Sequence, residues 1–158
     1  MTDYTAVGAA IRTTFLADSW LGNTANVLTI ETEKRGFNIQ DQKDAEYFSE
    51  VDLPAIAIVS SGSGKTSEQT TTNEIESFVK PEIICIVRGR DRRTVIGTAQ
   101  TIISNIERVL EKQKTSVNAL GIDAFVLNVS TQIEESKDGE YYFIVSKTTC
   151  DVEITTTF

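Results

Sequence analysis

The fold of this chain is decided by Thr94 to Leu110, TVIGTAQTIISNIERVL. Val95, Ile96, Ala99, Ile102, Ile103, Ile106, Val109 and Leu110 recur at spacings of one, three and four, which draws one apolar stripe down a helix. Thr98, Gln100, Ser104, Asn105, Glu107, Arg108 and Glu111 fall to the other face. Asp91 stands where an N-cap belongs, and its carboxylate suits the positive end of the helix dipole. Lys112 and Lys114 place cations at the opposite end. Gly97 costs about 1 kcal/mol against alanine in a helix interior. Beside Ile96, on the apolar side, it reads as a point where a strand approaches closely. A helix this one-sided over 91–113 requires a sheet to cover it.

The sheet is legible on both sides of that helix. Upstream lies Glu82 to Val87, EIICIV, the end of a run at 74–88 that reads as one strand or two. Pro81 within it removes a ladder donor and marks a bend, a bulge or an edge. Residues 53–60, LPAIAIVS, form a near-continuous apolar strand, and 26–33, NVLTIETE, alternate with β-branching. Downstream, 122–134 and 140–154 form a pair around the turn signal Lys137-Asp138-Gly139. Both arms exceed the usual strand length of about 5 to 6 residues, and their polar outer halves predict a hairpin that projects. At the start, Tyr4, Val7, Ile11 and Phe15 predict a helix over 3–17, capped by Thr2 or Asp3. The order helix, three strands, helix, two strands predicts a single α+β domain over 1–158. Its sheet is mostly antiparallel, with mobile loops at 34–52 and 61–73.

Composition narrows the chemistry. The chain has 158 residues, enough for one continuous core, with 40% apolar and 24% charged residues, as in a folded protein. Its net charge of −8 opposes non-specific contact with nucleic acid and anionic membrane. Histidine is absent, which removes His-based triads, His-ligated metal sites and His switches. Cys85 and Cys150 are too few for a disulfide scaffold and read as small buried hydrophobes in a reducing compartment. The amphipathic, acid-bearing N-terminus is unlike a signal peptide, and no run is long enough to span a bilayer. A soluble protein made in the cytoplasm is expected.

Four constellations bear on chemistry. Gly64-Lys65-Thr66 imitates the end of a phosphate-binding loop, but Val59 stands where the first glycine is required. The polar run that follows has no helical stripe, so a flexible loop is the expectation. Glu31 and Glu33 on one strand face, and Asp41, Asp44 and Glu46 in the loop, lack the ligand spacing of a cation site and read as solvated acidic surface. Arg88, Arg90, Arg92 and Arg93 make a local positive patch joining a strand to the long helix; it reads as a solvated loop or as a contact for an acidic neighbour. Non-specific contact with a DNA backbone is the lesser alternative, since four charges give only a modest salt-dependent attraction. Trp20 is a core plug or an interface anchor. No catalytic, cofactor-binding or metal-binding residue is expected, and no enzyme.

The opening amphipathic helix, the strand Leu53-Pro54-Ala55-Ile56-Ala57-Ile58-Val59, the strand Glu82-Ile83-Ile84-Cys85-Ile86-Val87, the long helix and the closing hairpin resemble the tail terminator, or tail-completion, proteins of tailed bacteriophages and prophages. The resemblance covers nearly the whole chain as element order and hydrophobic pattern. It implies a structural minor tail protein that forms a homo-oligomeric ring, commonly a hexamer. Such a ring caps the tail tube, stops its polymerisation and offers a docking surface to the head. The implied partners are other copies of the chain, the tail tube protein and the head–tail connector protein, and the implied location is the virion tail, assembled in the host cytoplasm. Head–tail connector subunits share a similar plan and are the alternative. A head-to-tail ring needs two different complementary patches per subunit. The arginines Arg88, Arg90, Arg92 and Arg93, and the acidic stretch from Asp41 through Asp44 and Glu46 to Glu50, are the candidate pair.

Overall fold

The structure, a computed structural model, describes residues 4–34, 37, 47–60, 65–69, 74–114, 120 and 124–157. Helix α1 (Tyr4–Ala17) is followed by strand β1 (Thr29–Thr32), a 3-10 turn at Glu50–Asp52, and strand β2 (Ala55–Val59). Strands β3 (Lys65–Gln69), β4 (Glu74–Val79) and β5 (Glu82–Gly89) lead to helix α2 (Arg92–Lys112), then to β6 (Ala124–Asp138) and β7 (Tyr141–Thr157). The fold is α+β, with all strands in one sheet that is antiparallel except for the β1–β2 pair.

Strand β7 is the axis of the sheet. Along one edge it pairs first with β5, from Gly89–Tyr142 to Glu82–Thr149, and then with β4, from Val79–Val152 to Glu74–Thr157. Between them stands Pro81, which lacks the N–H a continuous ladder would need, so the expected 74–88 run divides there. Strand β2 lies outside β5 and β1 outside β2, while β3 lies outside β4. The other edge of β7 is covered by β6 from Tyr141 to Ile154, with a bulge between Leu127 and Ser130. There Asn128 takes φ 52°, and its amide donates to Asp151 Oδ2 at 3.0 Å. Gly139, at φ 60°, makes the tight turn at the hairpin tip. The hairpin does not project past the sheet as expected, since β5 accompanies β7 as far as Tyr142. What it leaves open is the outer edge of β6 past the bulge.

The α2 stripe is buried as its spacing requires: Val95, Ala99, Ile102, Ile103, Ile106, Val109 and Leu110 are covered. They meet Ile56 and Ile58 of β2, Ile83, Cys85 and Val87 of β5, and Ile144, Cys150, Val152 and Ile154 of β7. Val7, Ile11 and Phe15 of α1 close the same core. Each fully buried Ile or Phe side chain contributes about 1.5 to 3 kcal/mol relative to exposure. On the opposite face Ala55, Ala57 and Ile86 meet Phe48, with Phe37 and Leu53 packed around them. This smaller core explains the alternation Ala-Ile-Ala-Ile in β2: isoleucines toward the helices, alanines under the connection from β1.

Four expectations need correction. The strand at 26–33 is only Thr29–Thr32, because Asn26 and Val27 donate their backbone N–H groups to the Asn23 carbonyl in a turn. Glu33, at φ 60°, lies past the strand end and does not share a face with Glu31. Within the loop expected at 61–73, Lys65–Gln69 is a strand paired with β4, a position its polar sequence conceals because no apolar alternation marks it. Gly97 is exposed, and a Cβ built there meets nothing within 4 Å, so no strand approaches it. The proposed caps Thr2 and Asp3 lie outside the described residues. Of the loop expected at 34–52, the described part holds the bridge between Phe37 and Phe48 and the turn at Glu50–Asp52.

Candidate interface

The arginine-rich connection joins β5 to α2 at the tip end of the hairpin, and its charges are largely committed within the chain. Arg88 is the last inward-reaching residue of β5, on the face that carries Ile86. Its guanidinium stands 3.6 Å from the Tyr141 ring centre, 5.5 Å from that of Phe143 and 5.8 Å from that of Phe37. A terminal nitrogen reaches Glu50 Oε1 at 2.6 Å, while Nε is buried with no partner among the described residues. Stacking on aromatic faces with a charge-assisted bond at the end is the geometry that guanidinium favours. Arg88 therefore ties the Phe37–Glu50 connection to the hairpin base.

Arg90 is exposed, donates to the Tyr141 hydroxyl at 3.1 Å and lies 4.0 Å from Glu140. Arg92, in the first turn of α2, forks onto Glu135 of β6 at 2.5 and 3.1 Å. That contact holds the Glu135 carboxyl below its ordinary range and raises Arg92 further. Thr131 of β6 donates to Glu107 of α2 at 3.0 Å, so the helix and the hairpin are pinned at two levels. Arg93 is exposed and makes no ion pair among the described residues. Asp91 occupies the N-cap position, but its carboxylate accepts from the Thr94 hydroxyl at 2.6 Å, not from a backbone N–H.

The structure thus brings Arg88, Arg90 and Arg92 together with the hairpin. Asp41, Asp44 and Glu46 lie outside the described residues. Glu50, at the end of the same acidic stretch, is the partner of Arg88 in its own chain. Sequence reasoning missed Glu135 and Tyr141 as those partners, because pairing register across the β6–β7 turn decides which outer residues face α2. Glu31 pairs with Arg12 at 3.6 Å, and Glu33 accepts from the Ser60 backbone and hydroxyl. Among the described residues no group of three or more metal-ligating side chains converges.

Two depressions flank α2. One, of about 230 Å³, runs between α2 and the hairpin and is lined by Ile96, Ala99, Ile103, Ile133 and Ile144, with Glu135 at its rim. Ile133 is 54% exposed, an unusual state for isoleucine on a strand beside a packed helix. The other, of about 350 Å³, lies between Trp20, Asn26, Gly97 and Thr101. Trp20 packs partly onto the main core and forms one wall of this depression. Beneath it Asp18 accepts from Arg108 at 2.8 Å and from the Leu21 and Trp20 backbone N–H groups. The Arg108 bond and those backbone bonds hold the Asp18 carboxyl below its usual value, against the opposing effect of burial.

No protein-family model and no curated protein matches the chain. Its fold is similar to that of a solved chain described as "Virion of native gene transfer agent (GTA) particle", with a TM-score of 0.50 and 10% sequence identity. The likeness covers 93% of this chain and 94% of that one.

Proposed function

We propose that this chain is a structural protein of a phage-type particle, and within that class a tail terminator. Copies form a ring, a hexamer in this reading, that seats on the end of the tail tube, halts tube growth and receives the head–tail connector. The observation that carries the reading is the fold likeness to a chain of a gene transfer agent virion along almost the entire length of both chains. It is supported by a residue set without histidine and by a phosphate-loop imitation whose Lys65 opens a strand where a nucleotide site would need a helix. The net charge of −8 speaks against a grip on nucleic acid. The proposed site of action is the virion tail.

A head-to-tail ring needs a donor patch and an acceptor patch. With Arg88, Arg90 and Arg92 engaged inside the chain, Arg93 is the member of the patch left for the acidic stretch of a neighbouring copy. The test is assembly on isolated tail tubes, followed by cross-linking and mass spectrometry. Rings at tube ends with cross-links to tube subunits are expected, and R93E lowers ring occupancy. Cross-links confined to head-side proteins, with none to the tube, would replace the terminator reading with that of a connector.

A further inference from the structure

We infer that the free outer edge of β6 pairs with the same edge of a second copy, closing a two-fold dimer centred on Ile133. Strand β6 is 15 residues long and pairs within the sheet only with β7. Near its start the Val126 N–H donates to the Gln113 carbonyl at 3.2 Å, but past the bulge no backbone partner among the described residues covers its outer side. Every residue from Gln132 to Asp138 is exposed. An open strand edge is a template for another strand, and natural proteins usually cover or break such edges. The β1 edge is treated in that way: Arg12 donates to the Ile30 carbonyl at 2.9 Å and lies beside Glu31. Nothing comparable blocks the outer half of β6 among the described residues. Its outer half is also held in place, by the Arg92–Glu135 fork and the Thr131–Glu107 bond, so little ordering is required on pairing.

The occupant follows from the order of residues. A two-fold axis normal to the sheet keeps each residue on its own face, so a residue can meet only itself or one an even number of positions away. Centred on Ile133, the strand Val129-Ser130-Thr131-Gln132-Ile133-Glu134-Glu135-Ser136-Lys137 opposes Ile133 to Ile133, Gln132 to Glu134, Thr131 to Glu135 and Ser130 to Ser136. No like charges face each other, each Glu134 meets an amide, and Glu135 is already paired with Arg92. Moved to Glu134, the same axis would oppose two carboxylates. Moved to Gln132, it would leave Ile133 facing Thr131. The Ile133 register brings the depression between α2 and the hairpin of one copy beside that of the other, removing from water the most exposed isoleucine of the core face.

The inference concerns the free chain and stands apart from the ring, whose contacts are head-to-tail. Sedimentation equilibrium on the purified full chain, with I133C oxidised in parallel, tests it. A wild-type dimer is expected, with I133E weakening the dimer by about tenfold or more through two carboxylates on the axis. I133C is expected to cross-link to itself, since directly opposed Cβ atoms stand about 4.5 to 5.5 Å apart, whereas T131C alone is not. Because residue 133 is exposed, circular dichroism of both variants should match wild type. A monomeric wild type overturns the inference, as does a dimer or larger ring in which I133C fails to cross-link. The first result leaves the ring reading to the tube experiment, and a ring without the cross-link supports it.

Discussion

Arg88 shows what a single side chain can join. It is mostly buried, over three aromatic rings, with Glu50 at its far end. Replacing it by alanine removes the stacking, worth about 0.5 to 2 kcal/mol, and leaves Glu50 without its partner. R88A should lower the urea midpoint by the equivalent of about 2 kcal/mol, and R88K should recover only part of that, since an ammonium cannot stack and fork together. Asp18 gives a pH signature of definite sign. Its folded value is depressed by Arg108, so its contribution is complete above the unfolded value near 4. It is lost as pH falls through the folded value. Urea titrations between pH 7 and pH 2 should show R108Q less stable than wild type at neutral pH and converging with it in acid. A constant gap would remove Asp18 as the cause. The arginine cluster was legible in the sequence as a charge patch, but its partners were not. Glu135 lies 43 positions from Arg92, and no local pattern reports a contact across that distance.

At the scale of elements, α2 was readable almost to the residue, because seven buried positions share one helical stripe and nothing in its context competes. β3 was not readable, since a short polar strand on the margin of a sheet carries no periodic signal. Gly97 was misjudged for a related reason: position on a stripe predicts the side of a helix, but not whether a neighbour fills the space. With open space around it and ordinary helical backbone, G97A should stabilise α2 by about 1 kcal/mol, read as a rise in the thermal midpoint. A fall would mean that a backbone neighbour stands there after all. The two strand thiols behave as core. Burial pushes Cys85 and Cys150 each up to about 12, so neither is ionised at neutral pH. A thiol reagent should label them only at the rate of global unfolding, and fast labelling in native buffer would contradict that burial.

For the molecule as a whole, helices shield one face of the sheet, a connection from β1 shields part of the other, and the margins differ in how they are finished. The difference traces to the bulge between Leu127 and Ser130. Before it, Ala124 and Val126 point to the helices; after it, Thr131, Ile133 and Glu135 do. The inserted residue changes the parity of the strand from even to odd. Deleting Asn128 would restore even parity and rotate the whole distal half by one face. Ile133 would then leave α2, and Glu135 would lose Arg92. One backbone irregularity, far from the tip, thus acts as a sign bit for the outer strand, setting which chemistry the protein shows to whatever approaches that margin.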